Sequence, residues 1–152
     1  MKFNAIFFLL ITSGICSSLT FACEESAKSP LEISQHKWRN AGWSHYSYVV
    51  QQECFCPPEY RQSVRVVVED GKVIDASYVE QKDKVVSSQV LASLYTIEDW
   101  FAVINKATDE NAFRLDAIYH PEFGYPKKID IDMRERMVDD EQSVLISEVT
   151  RQ

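Results

Sequence analysis

Tyr46-Ser47-Tyr48-Val49-Val50-Gln51-Gln52-Glu53-Cys54-Phe55-Cys56-Pro57-Pro58, followed by Ser63-Val64-Arg65-Val66-Val67-Val68-Glu69-Asp70-Gly71-Lys72-Val73-Ile74, decides the fold. Both runs are rich in aromatic and β-branched residues, which fit a pleated, half-buried surface. In the first, Tyr46, Tyr48 and Val50 fall on one face and Ser47, Val49 and Gln51 on the other. A Cys-Phe-Cys-Pro-Pro corner separates the two strands. Asp70-Gly71 marks the second run as the first arm of a hairpin.

The hairpin register follows from its side chains. A two-residue Asp70-Gly71 turn in regular pairing sets Val66 against Asp75. A three-residue Glu69-Asp70-Gly71 loop sets Val66 against Ile74, Val64 against Ala76 and Arg65 against Asp75. The second option keeps apolar residues on one face and pairs the charges on the other, with Gly71 in a left-handed bulge position. The three-residue loop is the expectation.

Outward from this stretch, two helices are expected. Ser29-Pro30 supplies a cap and a first-turn proline for a helix ending at Gly42, with Trp38 in the core. Thr96-Ile97-Glu98-Asp99 resembles a capping box, with Tyr95 and Trp100 at the staple positions. Trp100, Phe101, Val103, Ile104 and Ala107 then form an apolar stripe. Residues 85–94 are apolar without a clean period and read as an ordered loop or short helix. Alternation returns at 112–120, 128–133 and 144–149, giving three more strands. In the last, Val144, Ile146 and Glu148 share one face. Short loops between consecutive strands imply antiparallel pairing. The predicted fold is α+β: an antiparallel sheet of about six strands with two helices on one face. The order, a helix and three strands twice over, also suggests two α-β-β-β halves.

The 152-residue chain is long enough for one core of its own. Its formal net charge of -7 and lack of any Lys/Arg run argue against nucleic-acid binding. Lys2, the apolar run Ala5 to Ile11 and the small residues before Cys23 read as a signal peptide, too short to span a membrane. Thr20 and Ala22 place cleavage after Ala22. The alternative is lipidation of Cys23, although Phe21 is bulky for a lipobox. The expected organisation is a signal peptide over 1–22, a flexible lead over 23–30 and a single domain over 31–152. The expected location is exported, periplasmic or extracellular, with membrane attachment only through a lipid on Cys23.

Tyr46-x-Tyr48, Cys54-Phe55-Cys56-Pro57, Val64-x-Val66-x-Val68-x-Asp70-Gly71, Thr96-Ile97-x-x-Trp100-Phe101, Gly124-Tyr125-Pro126-x-x-Ile129 and Asp139-Asp140-Glu141 occur in that order. With them the chain resembles a family of exported bacterial proteins classed as a domain of unknown function, many of them lipoproteins. The resemblance covers about residues 36–150. It implies export and supplies no catalytic residues.

Candidate chemistry is sparse. Cys54 and Cys56 on a regular strand share a side with Cα atoms about 6.6 Å apart, so a disulfide between them needs a bend. Cys56 precedes proline and lacks the helix N-terminus that activates Cys-x-x-Cys thiols. A structural disulfide is the first reading, favoured by export, and a redox or metal-binding dithiol the second. His36, His45 and His120 are scattered, and His45 lies on the opposite strand face from Cys54, which disfavours a nucleophile pair. Four glycines form no phosphate loop. Asp130, Asp132, Asp139, Asp140 and Glu141 match no calcium loop and read as a solvated acidic edge. No catalytic residue, cofactor or metal is expected. The functional expectation is a non-catalytic binding or envelope-associated module whose partner is an unidentified envelope protein or ligand. A thiol-based protein using Cys54 and Cys56 is the alternative.

Overall fold

A computed structural model describes residues 28–137 and 140–152. The expected signal peptide, Cys23 and Asp139 fall outside the described residues. The chain runs α1 (Pro30–Ala41), β1 (His45–Cys54), a 3-10 turn (Pro58–Arg61), β2 (Val64–Glu69), β3 (Lys72–Tyr78), α2 (Ser88–Ala92), α3 (Ile97–Asp109), β4 (Arg114–Tyr119), β5 (Pro126–Asp132) and β6 (Gln142–Arg151). The strands form one antiparallel sheet in the order β3-β2-β1-β6-β5-β4. This is the expected α+β fold.

Local chemistry sets the helix ends. The Glu32 N–H donates to Ser29 Oγ and the Ser29 N–H to the Glu32 carboxylate, closing a capping box on α1. Gly42, at φ 63°, ends it. Thr96 and Asp99 cap α3 in the same reciprocal way. The Tyr95 and Trp100 rings meet edge-on at 4.8 Å, which completes the staple. The apolar run before α3 contains the short helix α2, capped by Ser87.

One face of the sheet carries the core. Tyr46, Tyr48 and Val50 of β1 join Val64, Val66 and Val68 of β2, Ile129 and Ile131 of β5, and Val144 and Ile146 of β6. Trp38 of α1 and Trp100, Phe101 and Ile104 of α3 close over them. The helix-plus-three-strands order occurs twice, but the two runs sit differently. The strand after α1 is central, whereas the strand after α3 is an edge.

Three details correct the sequence reading. The hairpin has a two-residue turn, with Glu69 opposite Lys72 and both Asp70 (φ 47°) and Gly71 (φ 72°) left-handed. A bulge at Ile74 then restores the phase, so Val66 faces Ala76 and Val64 faces Tyr78. The expected separation of apolar and polar faces is reached by inserting one residue in the strand, not in the loop. In β6 a second irregularity breaks the alternation at Glu148 (φ 50°). Val149 returns to the core, and Glu148 swings to the helix-free face to pair with Arg65, the partner assigned above to Asp75. Finally, the strand carrying Asp130 and Asp132 is no edge: β5 lies between β6 and β4. Asp130 accepts a cross-strand hydrogen bond from Ser143 and pairs with Lys128 on its own strand, instead of protecting an open rim.

Candidate functional site

Strand β1 leaves the sheet at Cys54 and the chain bends at once. The Cys56 N–H donates to the Cys54 carbonyl at 2.9 Å. The two Cα atoms close to 5.3 Å and the sulfurs are joined as a disulfide. Pro57 and Pro58 follow, and neither can donate a ladder hydrogen bond. Both cysteines are half-buried. Phe55, between them, is 84% exposed, nearly the most solvated large apolar side chain in the described residues.

Hollows lie on both sides of Phe55. One, of about 300 Å³, is lined by Glu53, Cys54, Phe55, Arg114, Asp130, Glu141, Gln142 and Ser143. The other, of about 370 Å³, is formed by Cys54, Phe55, Cys56, Pro57 and Arg61. The first opens on the helix-free face. There Glu53, Ser143 and Asp130 sit in one cross-strand row. Ser143 Oγ donates to Asp130 at 2.6 Å and Lys128 Nζ pairs with it at 2.8 Å. The Lys128 ammonium first, and the Ser143 hydroxyl second, hold the Asp130 carboxyl below the usual carboxylate range. Gln142 Nε2 donates to Gln52 Oε1 at 3.1 Å, fixing one wall.

The other candidate residues stay apart. His36 and His45 contact their neighbours Asn40 and Ser44. His120 accepts the Phe123 N–H and lies stacked between Phe123 and Tyr125. Of the acidic group, Asp130 and Glu141 reach the hollow beside Phe55. Asp132 instead accepts the Arg134 N–H, and Asp140 pairs with the Arg134 side chain. Among the described residues, no three His, Cys, Asp or Glu side chains converge as metal ligands would. No helix in these residues is long and apolar enough to cross a membrane.

Sequence reasoning missed Arg114, Gln142 and Ser143 at this site. Alternation places Arg114 and Ser143 on the helix-free face. Only the long-range β1–β6 pairing sets Ser143 against Glu53 and Gln142 against Cys54. The family of unknown function DUF6174 matches residues 30–151 of the chain. No curated protein and no solved structure matches it.

Proposed function

As the chain belongs to the DUF6174 family of unknown function, which lends it no activity, we propose a role from its own geometry. The protein is an exported, non-catalytic binding module that grips an envelope partner through Phe55 and the hollows beside it. The observation that carries this is the presentation of Phe55. A three-residue disulfide ring, Cys54 to Cys56, and a following Pro-Pro hold an apolar ring out in water. An anchor ordered before binding loses little entropy on docking, and buried aromatics supply much of the affinity at interfaces. Arg114, Glu53 and Glu141 give the polar rim such a contact uses.

The test compares Phe55→Ala with the wild type. The side chain is solvated, so melting temperature stays within about 0.5 kcal/mol of wild type in stability terms. Crosslinking and co-purification from the native envelope should recover a defined partner with wild type and at least tenfold less with the variant. Equal recovery of that partner by both proteins removes Phe55 from the contact. The export half has its own measurement: the intact mass of the exported protein should match residues 23–152. A diacyl or triacyl increment on Cys23 assigns a lipid anchor instead.

A second reading rests on the half-buried disulfide, which an external dithiol can reach. Reduction takes two electrons and two protons and opens the ring. A bridge across so short a loop constrains the unfolded chain little, so Cys54→Ser/Cys56→Ser should cost less than the ~2–4 kcal/mol of longer loops. Thiol titration decides between the readings. A pair still oxidised in mild reductant supports the structural role, and ready cycling supports the thiol-based one.

A further inference from the structure

The two edges of the sheet are not alike. The β3 edge is interrupted by the Ile74 bulge, and α2 packs against that strand. Bulges and covering segments are ordinary protection against strand addition. Along Arg114–Ile118 the β4 edge has no bulge, no proline and no lysine, and the helix that contacts this strand, α3, lies on the core face of the sheet. Its backbone bonds run to β5 on one side, and among the described residues none runs outward. Phe113 and Ile118, at its two ends, are 56% and 57% exposed.

Two charges on this strand stand out, and Arg114 acts on the Asp130 carboxylate only at a distance. Arg114 and Asp116 point to the helix-free face and form no ion pair among the described residues. Across the sheet Asp116 meets Asp130, which is already held by Lys128 and Ser143. Opposite charges two positions apart on one strand face are self-complementary in an antiparallel pair. A second copy related by a two-fold axis through Leu115 sets each Arg114 against Asp116 of the other copy. The same register sets Leu115 against Leu115 on the helix side, and Phe113 beside Ala117. Moving the axis one residue, to Asp116, puts like charges face to face, which is destabilising. Moving it to Arg114 opposes the two arginines.

We infer that β4 is a self-association edge: two copies of this chain join through antiparallel β4 strands into one continuous sheet, with Arg114–Asp116 pairs fixing the register. An isologous two-fold contact of this kind closes on itself, so assembly stops at the dimer. Main-chain hydrogen bonds give the affinity and the paired side chains give the register. The inference does not depend on Phe55; Arg114 also lines the hollow beside that ring, whereas Asp116 does not, so Asp116→Arg tests the edge without altering that lining.

Sedimentation equilibrium of the purified protein tests it, with circular dichroism melts to confirm folding. Both charged residues are exposed, so substitution leaves the core untouched. Wild type should show a monomer–dimer equilibrium. Arg114→Asp and Asp116→Arg should each weaken it at least tenfold, and more at low than at high salt. The double reversal, Arg114→Asp with Asp116→Arg, should restore dimerisation. A folded wild type that stays monomeric at millimolar concentration overturns the inference. So does a dimer indifferent to both single reversals, a double reversal that fails to rescue, or assembly that continues past two copies.

Discussion

Gly124 is the residue where backbone geometry is least negotiable. It lies in the β4–β5 turn at φ 79°, a left-handed conformation that side chains rarely adopt. A Cβ there would lie 2.2 Å from the Ser34 carbonyl oxygen and 2.8 Å from Lys37 Cβ. The turn thus rests directly on α1, and Lys37 Nζ reaches back to the Pro121 carbonyl at 2.6 Å. Gly42 is also left-handed, at φ 63°, but open space surrounds it. The pair separates two costs. Gly42→Ala should lose the ~1–2 kcal/mol of the left-handed backbone alone. Gly124→Ala adds overpacking against immobile backbone, for a total of roughly 2–5 kcal/mol. Urea denaturation of both variants measures the difference, and equal losses would mean the turn can lift off α1 without penalty.

Among the elements, β1 joins the two halves of the sheet. It pairs with both β2 and β6, and its Tyr46 hydroxyl locks α3 to the sheet. That hydroxyl donates to Glu98 Oε2 at 2.8 Å and accepts the Ile97 N–H at 3.0 Å. Trp38 Nε1 donates to the other Glu98 oxygen at 2.7 Å, so one carboxylate in the first turn of α3 ties α1 and β1 together. Tyr46→Phe leaves the Ile97 N–H and half of Glu98 without partners. It should cost about 1–3 kcal/mol with the fold retained, read by chemical denaturation. A neutral outcome would show that water replaces the hydroxyl. The sequence made the helix caps legible, because Ser29, Gly42, Thr96 and Asp99 act on neighbours within a turn. It also made the core faces legible, because alternation is local. It could not reveal the Glu98 bridge, whose partners lie 52 and 60 positions away. The bulges at Ile74 and Glu148 were hidden for a related reason. The one at Glu148 keeps β6 in phase with the distant β1, the one at Ile74 keeps the hairpin arms in phase, and nothing beside either in sequence announces it. At the site, the Cys54–Phe55–Cys56–Pro57 corner was visible as a local motif, while its Arg114 and Ser143 walls come from strands that only the sheet order brings near.

For the whole molecule, stability against pH should be lopsided, with its vulnerable limb on the alkaline side. Burial pushes the phenols of Tyr46 and Tyr48 upward, and the nearby Glu98 carboxylate adds to the rise in both. Burial alone raises Tyr119 to about 12. In the unfolded chain these groups ionise near pH ~10. Above that pH the unfolded state releases protons that the folded state keeps, so stability falls as pH climbs from ~10 through the folded values. Below pH ~10 the contribution is fully present. The net charge of -7 grows in magnitude over the same range and adds self-repulsion. On the acid side two carboxylates near the surface are held low. Glu32 is lowered by its Ser29 contacts, and Asp130 by Lys128 and Ser143. Their support is present above pH ~4 and fades as pH falls through their lowered folded values. Melts across the pH range, with tyrosinate absorbance followed alongside circular dichroism, test this directly. The buried tyrosines should ionise only as the structure is lost, in one transition between pH ~10 and ~12. Full tyrosinate absorbance near pH ~10 with native circular dichroism would show that the three phenols reach water in the folded state.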